Sequence, residues 1–163
     1  YICLLIMSKA NKRLLKELHA ASKSKEQDVT LEVVDNDLFH WHASIVGPSE
    51  TPFHNYVFCL DIEVPQMYPL VPPTVSFVTR VFHPNIHFKT GEICLDLLKD
   101  AWSAVYTLES VCRAIIALLS NPEADSPLNC DAGNLIRAGD NRGYNSMALM
   151  YTRLHANAFD AEA

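Results

Sequence analysis

Apolar positions at regular intervals predict one helix followed by four strands in the first half of the chain. Leu14, Leu15 and Leu18 recur at helical spacing after Ser8, a possible N-cap, so this segment is predicted to be an amphipathic helix. The prolines of "PQMYPLVPP" exclude a helix or a central strand just before the fourth run. The four strand-like runs, which predict an antiparallel meander, lie at residues 29–34, 38–47, 56–63 and 74–79.

The second half of the chain is predicted to be helical after a long loop over residues 80–105. A short helix is expected over residues 131–138, ended by Gly139, and a final helix over residues 140–157. The fold class is therefore α+β, with an N-terminal helix, a four-stranded antiparallel meander, a long loop and three C-terminal helices. The first of these three helices is capped by Thr107 and has apolar positions at Leu108, Val111, Ile115, Leu118 and Leu119.

Length and composition are those of one ordinary globular domain. The 163 residues are 49% hydrophobic and 20% charged, and a chain of this size buries roughly 70% of its unfolded surface. The net charge of −6 argues against a nucleic-acid binder. Residues 8–25, however, carry six lysines or arginines against one glutamate. This basic helix is either a docking surface for an acidic protein or a solvated helix face.

The cysteines and the apolar runs indicate the compartment and the domain limits. Five cysteines without C-x-x-C spacing favour free thiols in a reducing compartment, and Cys112 and Cys130 are expected to be small buried side chains. No apolar run approaches the ~18 residues that cross a bilayer, so direct membrane insertion is not expected. We expect residues 1–7 to be a flexible or foreign leader, residues 8–157 the domain and residues 158–163 a short tail.

Cys94 lies near the end of the long loop, and its residue type and context allow four roles. Cys94 could be a buried side chain that fills space in the core, half of a disulfide, a metal ligand with His83 and His87, or a nucleophile. The histidine and cysteine spacing matches no common zinc site, and the compartment disfavours a disulfide. A loop position places a side chain within reach of a partner, which favours the nucleophile.

A cysteine hydrolase is the natural rival among nucleophilic enzymes. His83 or His87 would then be the general base for Cys94. No setting like that of the known cysteine-protease nucleophiles surrounds Cys94, and no oxyanion donors are evident beyond the amide of Asn85.

Several stretches of the chain resemble the ubiquitin-conjugating enzyme family. They are "HPNIHFKTGEICLDLL", "DAW", "LLSNPEADSPLN", "LFHWHASIVGPSETPF" and "FCLDIEVPQMYPLVPPTVSF". The likeness covers residues 8–157, and its central motif is highly specific. Within the family, "HPNIHFKTGEICL" and "PLNCDAGNLIRAGDNRGYNSMA" are most similar to the peroxisomal group.

The resemblance implies that Cys94 carries ubiquitin as a thioester received from an activating enzyme. A free thiol already supplies a few per cent thiolate at pH 7, so this exchange needs no dedicated base. The family position of Asn85 implies a donor to the oxyanion or a brace for the loop, where losing one oxyanion donor typically costs ~10²–10³ in rate. The resemblance makes His83 and Pro84 loop-shaping residues.

Two departures from the family pattern concern transfer of the ubiquitin. Ser126, next to Asp125, stands where the family often has an acidic residue that prepares an incoming lysine amine. The Asp-Ser-Pro sequence is also typical of an ordinary turn. The interval from Asn85 to Cys94 is one residue longer than the commonest family spacing. These departures lead to the hypothesis that the enzyme passes ubiquitin to a thiol as well as to an amine.

The resemblance also implies partners and a location. The surface for a RING-type ligase and the activating enzyme would comprise Arg13, Lys16, Leu70, Ser103 and Ala104, with Ala104 where the family commonly has proline. No cofactor is expected, because the upstream activating enzyme uses the ATP. The peroxisomal group works at the cytosolic face of the peroxisome, held there by a membrane anchor protein, and modifies the import receptor. A non-catalytic ubiquitin-binding relative remains the main alternative, with a cysteine hydrolase the less favoured one.

Overall fold

The order of helices and strands matches the predicted order. The computed structural model describes residues 8–24 and 27–159, so the leader at 1–7 and residues 160–163 of the tail lie outside it. In this part no helix is long and apolar enough to cross a bilayer. The elements are α1 (Lys9–Ala21), β1 (Val29–Val33), β2 (His40–Val46), β3 (Tyr56–Glu63), β4 (Thr74–Phe77), a short 3-10 helix (Asp96–Leu98), α2 (Leu108–Ser120), α3 (Cys130–Arg137), α4 (Asn141–His155) and β5 (Asn157–Ala158).

The four predicted strands form an antiparallel sheet in the order β1-β2-β3-β4. Val33 pairs with Trp41 between β1 and β2, and Ile62 pairs with Val75 between β3 and β4. The fifth strand, β5, was not predicted, since the sequence was expected to be helical up to residue 157. The helix ends at His155, and β5 pairs with the start of β3, where the shorter β4 leaves the strand edge free.

Side chains with oxygen atoms set the start of each α-helix. Ser8 accepts a hydrogen bond from the backbone N–H of Asn11, which confirms the predicted N-cap. Thr107 and Ser110 form a capping box at the start of α2. At the far end of α3, Gly139 has a φ of +72°, a left-handed conformation that favours glycine after a helix.

The hydrophobic core lies where α2 packs on one face of the sheet. Trp41, Ile45 and Phe58 come from the strands, while Ile115 comes from the predicted stripe of α2. Because successive strand residues face opposite ways, the alternate positions of β2 point away from this core.

Two predictions about apolar positions are wrong, one on the stripe of α1 and one for Cys130. Leu15 is 40% exposed, because Leu14 one position earlier already occupies the inward face of α1. Cys130 is exposed, since it is the first residue of α3, whereas Cys112 is buried as predicted. Burial raises the pKa of the Cys112 thiol to about 12, so this cysteine is unreactive. The four described cysteines are free thiols, as expected.

A buried carboxylate joins three elements that are distant in sequence. Glu17 of α1 is 8% exposed and accepts hydrogen bonds from the hydroxyl of Tyr68 at 2.7 Å and from the backbone N–H of Leu108 at 2.8 Å. Arg13 pairs with the same carboxylate one helical turn away. The first N–H groups of a helix have no intrahelical partner, so Glu17 supplies one for α2. The sequence indicates no such role, because glutamate on a lysine-rich helix is usually solvated.

The Glu17 network leads to a prediction about stability. Glu17→Ala should lower the free energy of unfolding by about 3–5 kcal/mol, because it leaves Arg13, Tyr68 and Leu108 without their shared acceptor. Denaturation by guanidinium chloride measures this loss. The matched control is Glu109→Ala, which removes a surface carboxylate paired with Arg113 and should cost less than about 1 kcal/mol. Equal losses in the two variants would contradict the proposed role of the buried carboxylate.

Candidate active site

The His-Pro-Asn triplet forms a buried turn that is bonded to a distant loop. His83 and Asn85 are 0% and 4% exposed, and the backbone N–H of Asn85 donates to Nδ1 of His83 at 3.2 Å. The carbonyl of Pro84 accepts hydrogen bonds from the backbone N–H groups of Leu128 and Asn129 at 2.8 and 3.1 Å. These contacts fit the loop-shaping roles predicted for His83 and Pro84.

The side chain of Asn85 makes two hydrogen bonds with one residue of that loop. Its Nδ2 donates to the carbonyl of Glu123 at 2.9 Å, and its Oδ1 accepts from the backbone N–H of Glu123 at 2.8 Å. An amide side chain has both a donor and an acceptor, so it can satisfy both polar groups of a neighbouring residue. Asn85 is thus a brace between the triplet and the loop at residues 121–129.

Cys94 is attached to the same asparagine through the backbone. Its N–H donates to the carbonyl of Asn85 at 2.9 Å, and Ile86 pairs with Ile93 just before it. The thiol of Cys94 is free and partly exposed. Among the four roles considered, the structure thus excludes the fully buried filler and the disulfide.

The turn between Asn85 and Cys94 is held by a glycine. The backbone N–H of Gly91 donates to the carbonyl of His87 at 2.8 Å, so the longer interval closes into a turn without breaking the bond between Asn85 and Cys94. Gly91 has a φ of +73°, and a Cβ there would lie 1.9 Å from the carbonyl oxygen of Phe77. This close approach was not predicted, although a glycine after Thr90 is a usual sign of a turn.

Neither histidine near Cys94 is arranged as a general base. Burial lowers the pKa of His83 to about 3, and its Nδ1 already accepts the N–H of Asn85. Nδ1 of His87 accepts the backbone N–H of Thr90 at 3.1 Å. Within the described residues, one group of three histidine, cysteine or acidic side chains has ligand atoms that converge, and it does not include His83, His87 or Cys94. These three residues therefore do not form a metal site.

Asp125 and Ser126 are exposed on the loop that Asn85 braces. On one side of them, Glu123 is bonded to Asn85. The carbonyl of Ala124 accepts a hydrogen bond from Arg137 of α3 at 2.9 Å. Asp125 and Ser126 therefore lie on a loop that hydrogen bonds hold at Glu123 and at Ala124, and both side chains face solvent.

The predicted ligase-binding residues lie on three segments that the structure joins. Arg13 is half-buried and donates to the carbonyls of Ala104 and Tyr106 at 3.0 and 2.7 Å, while the indole of Trp102 donates to the carbonyl of Pro69 at 2.8 Å. Leu70 is 74% exposed, as expected for a residue between two prolines. We call this region the helix–loop surface, which comprises Lys16, Leu70, Ser103, Ala104 and Val105, all exposed.

Comparison with known proteins gives consistent similarities. A family model described as ubiquitin-conjugating enzyme matches residues 13–152. The ubiquitin-conjugating enzyme pex4 of Dictyostelium discoideum is 64% identical over 88% of this chain and 97% of its own length. The protein PEROXIN-4 of Arabidopsis thaliana is 58% identical over 92% of this chain and 97% of its own.

Solved structures show the same likeness. The ubiquitin-conjugating enzyme Pex4p of H. polymorpha, crystallised with the soluble domain of Pex22p, superposes with a TM-score of 0.86 at 34% identity, covering 91% of this chain and 99% of its own. A ubiquitin-conjugating domain from Toxoplasma gondii superposes with a TM-score of 0.85 at 34% identity, covering 91% of this chain and 100% of its own.

The burial of His83 predicts a loss of stability in acid. The unfolded chain binds a proton at this residue near pH 6.5, whereas the folded chain does so only near pH 3. Stability should therefore fall by up to about 1.4 kcal/mol per pH unit as the pH drops through this window. In His83→Gln this contribution should disappear, so unfolding free energy should depend less on pH. His19→Gln, which alters an exposed histidine of α1, should keep the wild-type dependence, and an unchanged slope in His83→Gln would refute the assignment.

Proposed function

The chain belongs to the ubiquitin-conjugating enzyme family, and we propose that it carries ubiquitin as a thioester on Cys94 and passes it to a protein acceptor. The observation that carries this proposal is the backbone bond between Cys94 and Asn85. This bond joins a residue with a partly exposed free thiol to an asparagine whose side chain is fixed by Glu123.

Loading of Cys94 is an exchange between two thiols. The thiolate of Cys94 attacks the thioester carbonyl of ubiquitin on the activating enzyme. A new S–C bond forms, the old one breaks, and the thiol of the activating enzyme leaves. Since one thioester replaces another, the step needs no cofactor on this chain, and the ATP is spent earlier by the activating enzyme. A free thiol supplies enough thiolate for this reaction near neutral pH.

Transfer to the acceptor places negative charge on the thioester oxygen. The Oδ1 atom of Asn85 and one of its two amide N–H groups are occupied by Glu123. We assign the second N–H to the oxyanion, because the brace already fixes the side chain before ubiquitin arrives. Asn85 then has both roles considered for it, as a brace and as an oxyanion donor.

The surroundings of Cys94 favour a carrier over a hydrolase. A thioester survives in water when no neighbouring base activates a water molecule. His83 is neutral above about pH 3 and enclosed in the core, and Nδ1 of His87 is engaged by Thr90. Neither residue therefore activates a water molecule for hydrolysis of the thioester, which remains intact until a protein acceptor binds.

The acceptor side of the site has a neutral residue where an acid is expected. Ser126 is exposed beside Asp125, so an incoming lysine amine meets one carboxylate that is displaced by one position. A thiol acceptor needs no such help, because it is already partly ionised at neutral pH. We therefore infer that a substrate cysteine is accepted as well as a lysine.

The partners follow from the helix–loop surface and from the named relatives. Leu70 and Val105 are large apolar side chains that are 74% and 77% exposed, and Lys16 of α1 is exposed as well, which suits binding of a RING-type ligase or the activating enzyme. The Pex4p structure contains the soluble domain of Pex22p. We propose that a similar protein anchors this chain at the cytosolic face of the peroxisome, and that the import receptor is the substrate.

The thioester proposal predicts a specific adduct. With activating enzyme, ATP and ubiquitin, the protein should form a ubiquitin adduct on a gel that a reducing agent removes. Cys94→Ala should abolish the adduct, and Cys94→Ser should give an oxygen ester that resists the reducing agent. The matched control is Cys130→Ala, which removes another exposed free thiol and should still be charged.

The other outcomes of this assay identify the rival functions. Ubiquitin binding without an adduct would indicate the non-catalytic relative. Cleavage of a ubiquitin fusion would indicate the cysteine hydrolase. Either result would overturn the carrier proposal.

The acceptor proposal is tested by discharge of the charged enzyme. Free cysteine and free lysine, offered separately, should both remove ubiquitin from Cys94. Ser126→Asp should raise discharge to lysine by about tenfold, less than the full effect of a positioned base, because a new carboxylate is not held by other residues. Ser24→Asp places the same charge on the exposed segment that follows α1 and should leave both rates unchanged. Discharge to lysine alone would refute a thiol acceptor.

A further inference from the structure

The face of the sheet that points away from α2 carries a cluster of two histidines and an aspartate. His40 and His42 alternate with the buried Trp41 on β2, so both project from this outer face. Asp61 is the cross-strand partner of His42 on β3. All three side chains are partly exposed, with 38%, 57% and 31% of their surface accessible, so an ion from solvent can reach them.

The ligand atoms of this cluster already converge. Oδ1 of Asp61 lies 2.7 Å from Nε2 of His40 and 3.4 Å from Nε2 of His42. One ligand atom from each of the three residues lies within 4.8 Å of the others. Ligand atoms around a tetrahedral zinc ion at its usual bond lengths are about 3.3 Å apart. Small side-chain shifts would therefore bring the cluster to coordination geometry.

We propose that His40, His42 and Asp61 form a binding site for a divalent transition-metal ion of the zinc class. Imidazole nitrogens with one carboxylate are ligands that suit zinc, copper and nickel, whereas magnesium and calcium require oxygen. Three protein ligands leave a fourth position of the tetrahedron to water. Metal binding at Nε2 of His40 replaces the hydrogen bond that this atom makes with Oδ1 of Asp61.

The surrounding charge favours a cation at this position. Glu63 is the cross-strand partner of His40, and Glu32 is the partner of His42 on the other side. Asp37 also acts on His40 from the preceding turn. With Asp61, these groups are four carboxylates on the described residues. A metal ion would relieve their mutual repulsion.

A bound ion would join the two central strands from outside. His40 and His42 belong to β2 and Asp61 to β3, so coordination adds a cross-strand link on the face that α2 does not cover. An ion that binds the folded chain alone stabilises it by mass action. The site uses no residue of the proposed thioester chemistry, so the two proposals stand or fall separately.

Zinc titration of the full chain without an affinity tag tests the site. Calorimetry at mildly alkaline pH should show one zinc ion per chain, and saturating zinc should raise the melting temperature by about 5 °C. Asp61→Asn should weaken binding by about tenfold or more, and the double variant His40→Ala/His42→Ala by about 100-fold. Both variants alter exposed side chains and should remain folded.

The matched control removes two exposed histidines that lie outside the cluster. The double variant His19→Ala/His54→Ala should bind zinc as the wild type does. Unchanged affinity after loss of His40 and His42 would overturn the proposal. Binding that disappears when the cysteine thiols are blocked, but not when the cluster is removed, would overturn it in favour of thiol ligands.

Discussion

The hydrogen bonds between Asn85 and Glu123 keep two segments in register that are far apart in sequence. Besides this brace, the loop with Asp125 and Ser126 is bonded to the His-Pro-Asn triplet through the carbonyl of Pro84. Cys94 is bonded to the same asparagine through its backbone, so Asn85 fixes the position of both Cys94 and this loop. A reacting carbonyl needs this kind of fixed geometry, because donors must be in place before charge develops.

A second buried polar group acts in a similar way near the helix–loop surface. Glu17 bonds to Tyr68 and to the start of α2, while Arg13 bonds to the carbonyl of Ala104. The exposed residues of the helix–loop surface are therefore held from beneath by buried residues of α1. Arg13 was predicted as a partner-binding residue, but its guanidinium is occupied by the protein itself. Its contribution to binding would come through the position of the loop.

The parts of the fold and the site that could be predicted are those that depend on local pattern or on the family motif. Helix caps such as Ser8 and Thr107 use short-range hydrogen bonds, and the alternation of β2 and β3 follows directly from burial of one face. Cys94 was predicted through its motif. Glu123 could not have been found, since it contributes backbone atoms, which leave no residue-type signal. The exposure of Leu15 and Cys130 and the pairing of β5 depend on how elements pack, and short-range spacing does not determine that.

The two faces of the sheet differ in character: the inner face is apolar and packs against α2, and the outer face carries the cluster of His40, His42 and Asp61. The inner face gives α2 an apolar surface, so polar groups near it, such as His83, are enclosed and held neutral. The outer face at His40, His42 and Asp61 is partly open to solvent, so it tolerates the charged cluster on β2 and β3. Strand β3 links this face to the active-site side, because Cys59 bonds to Thr79, a few residues before the His-Pro-Asn turn. An ion that stiffened β2 and β3 would act on the strand that anchors this turn, without touching the thiol.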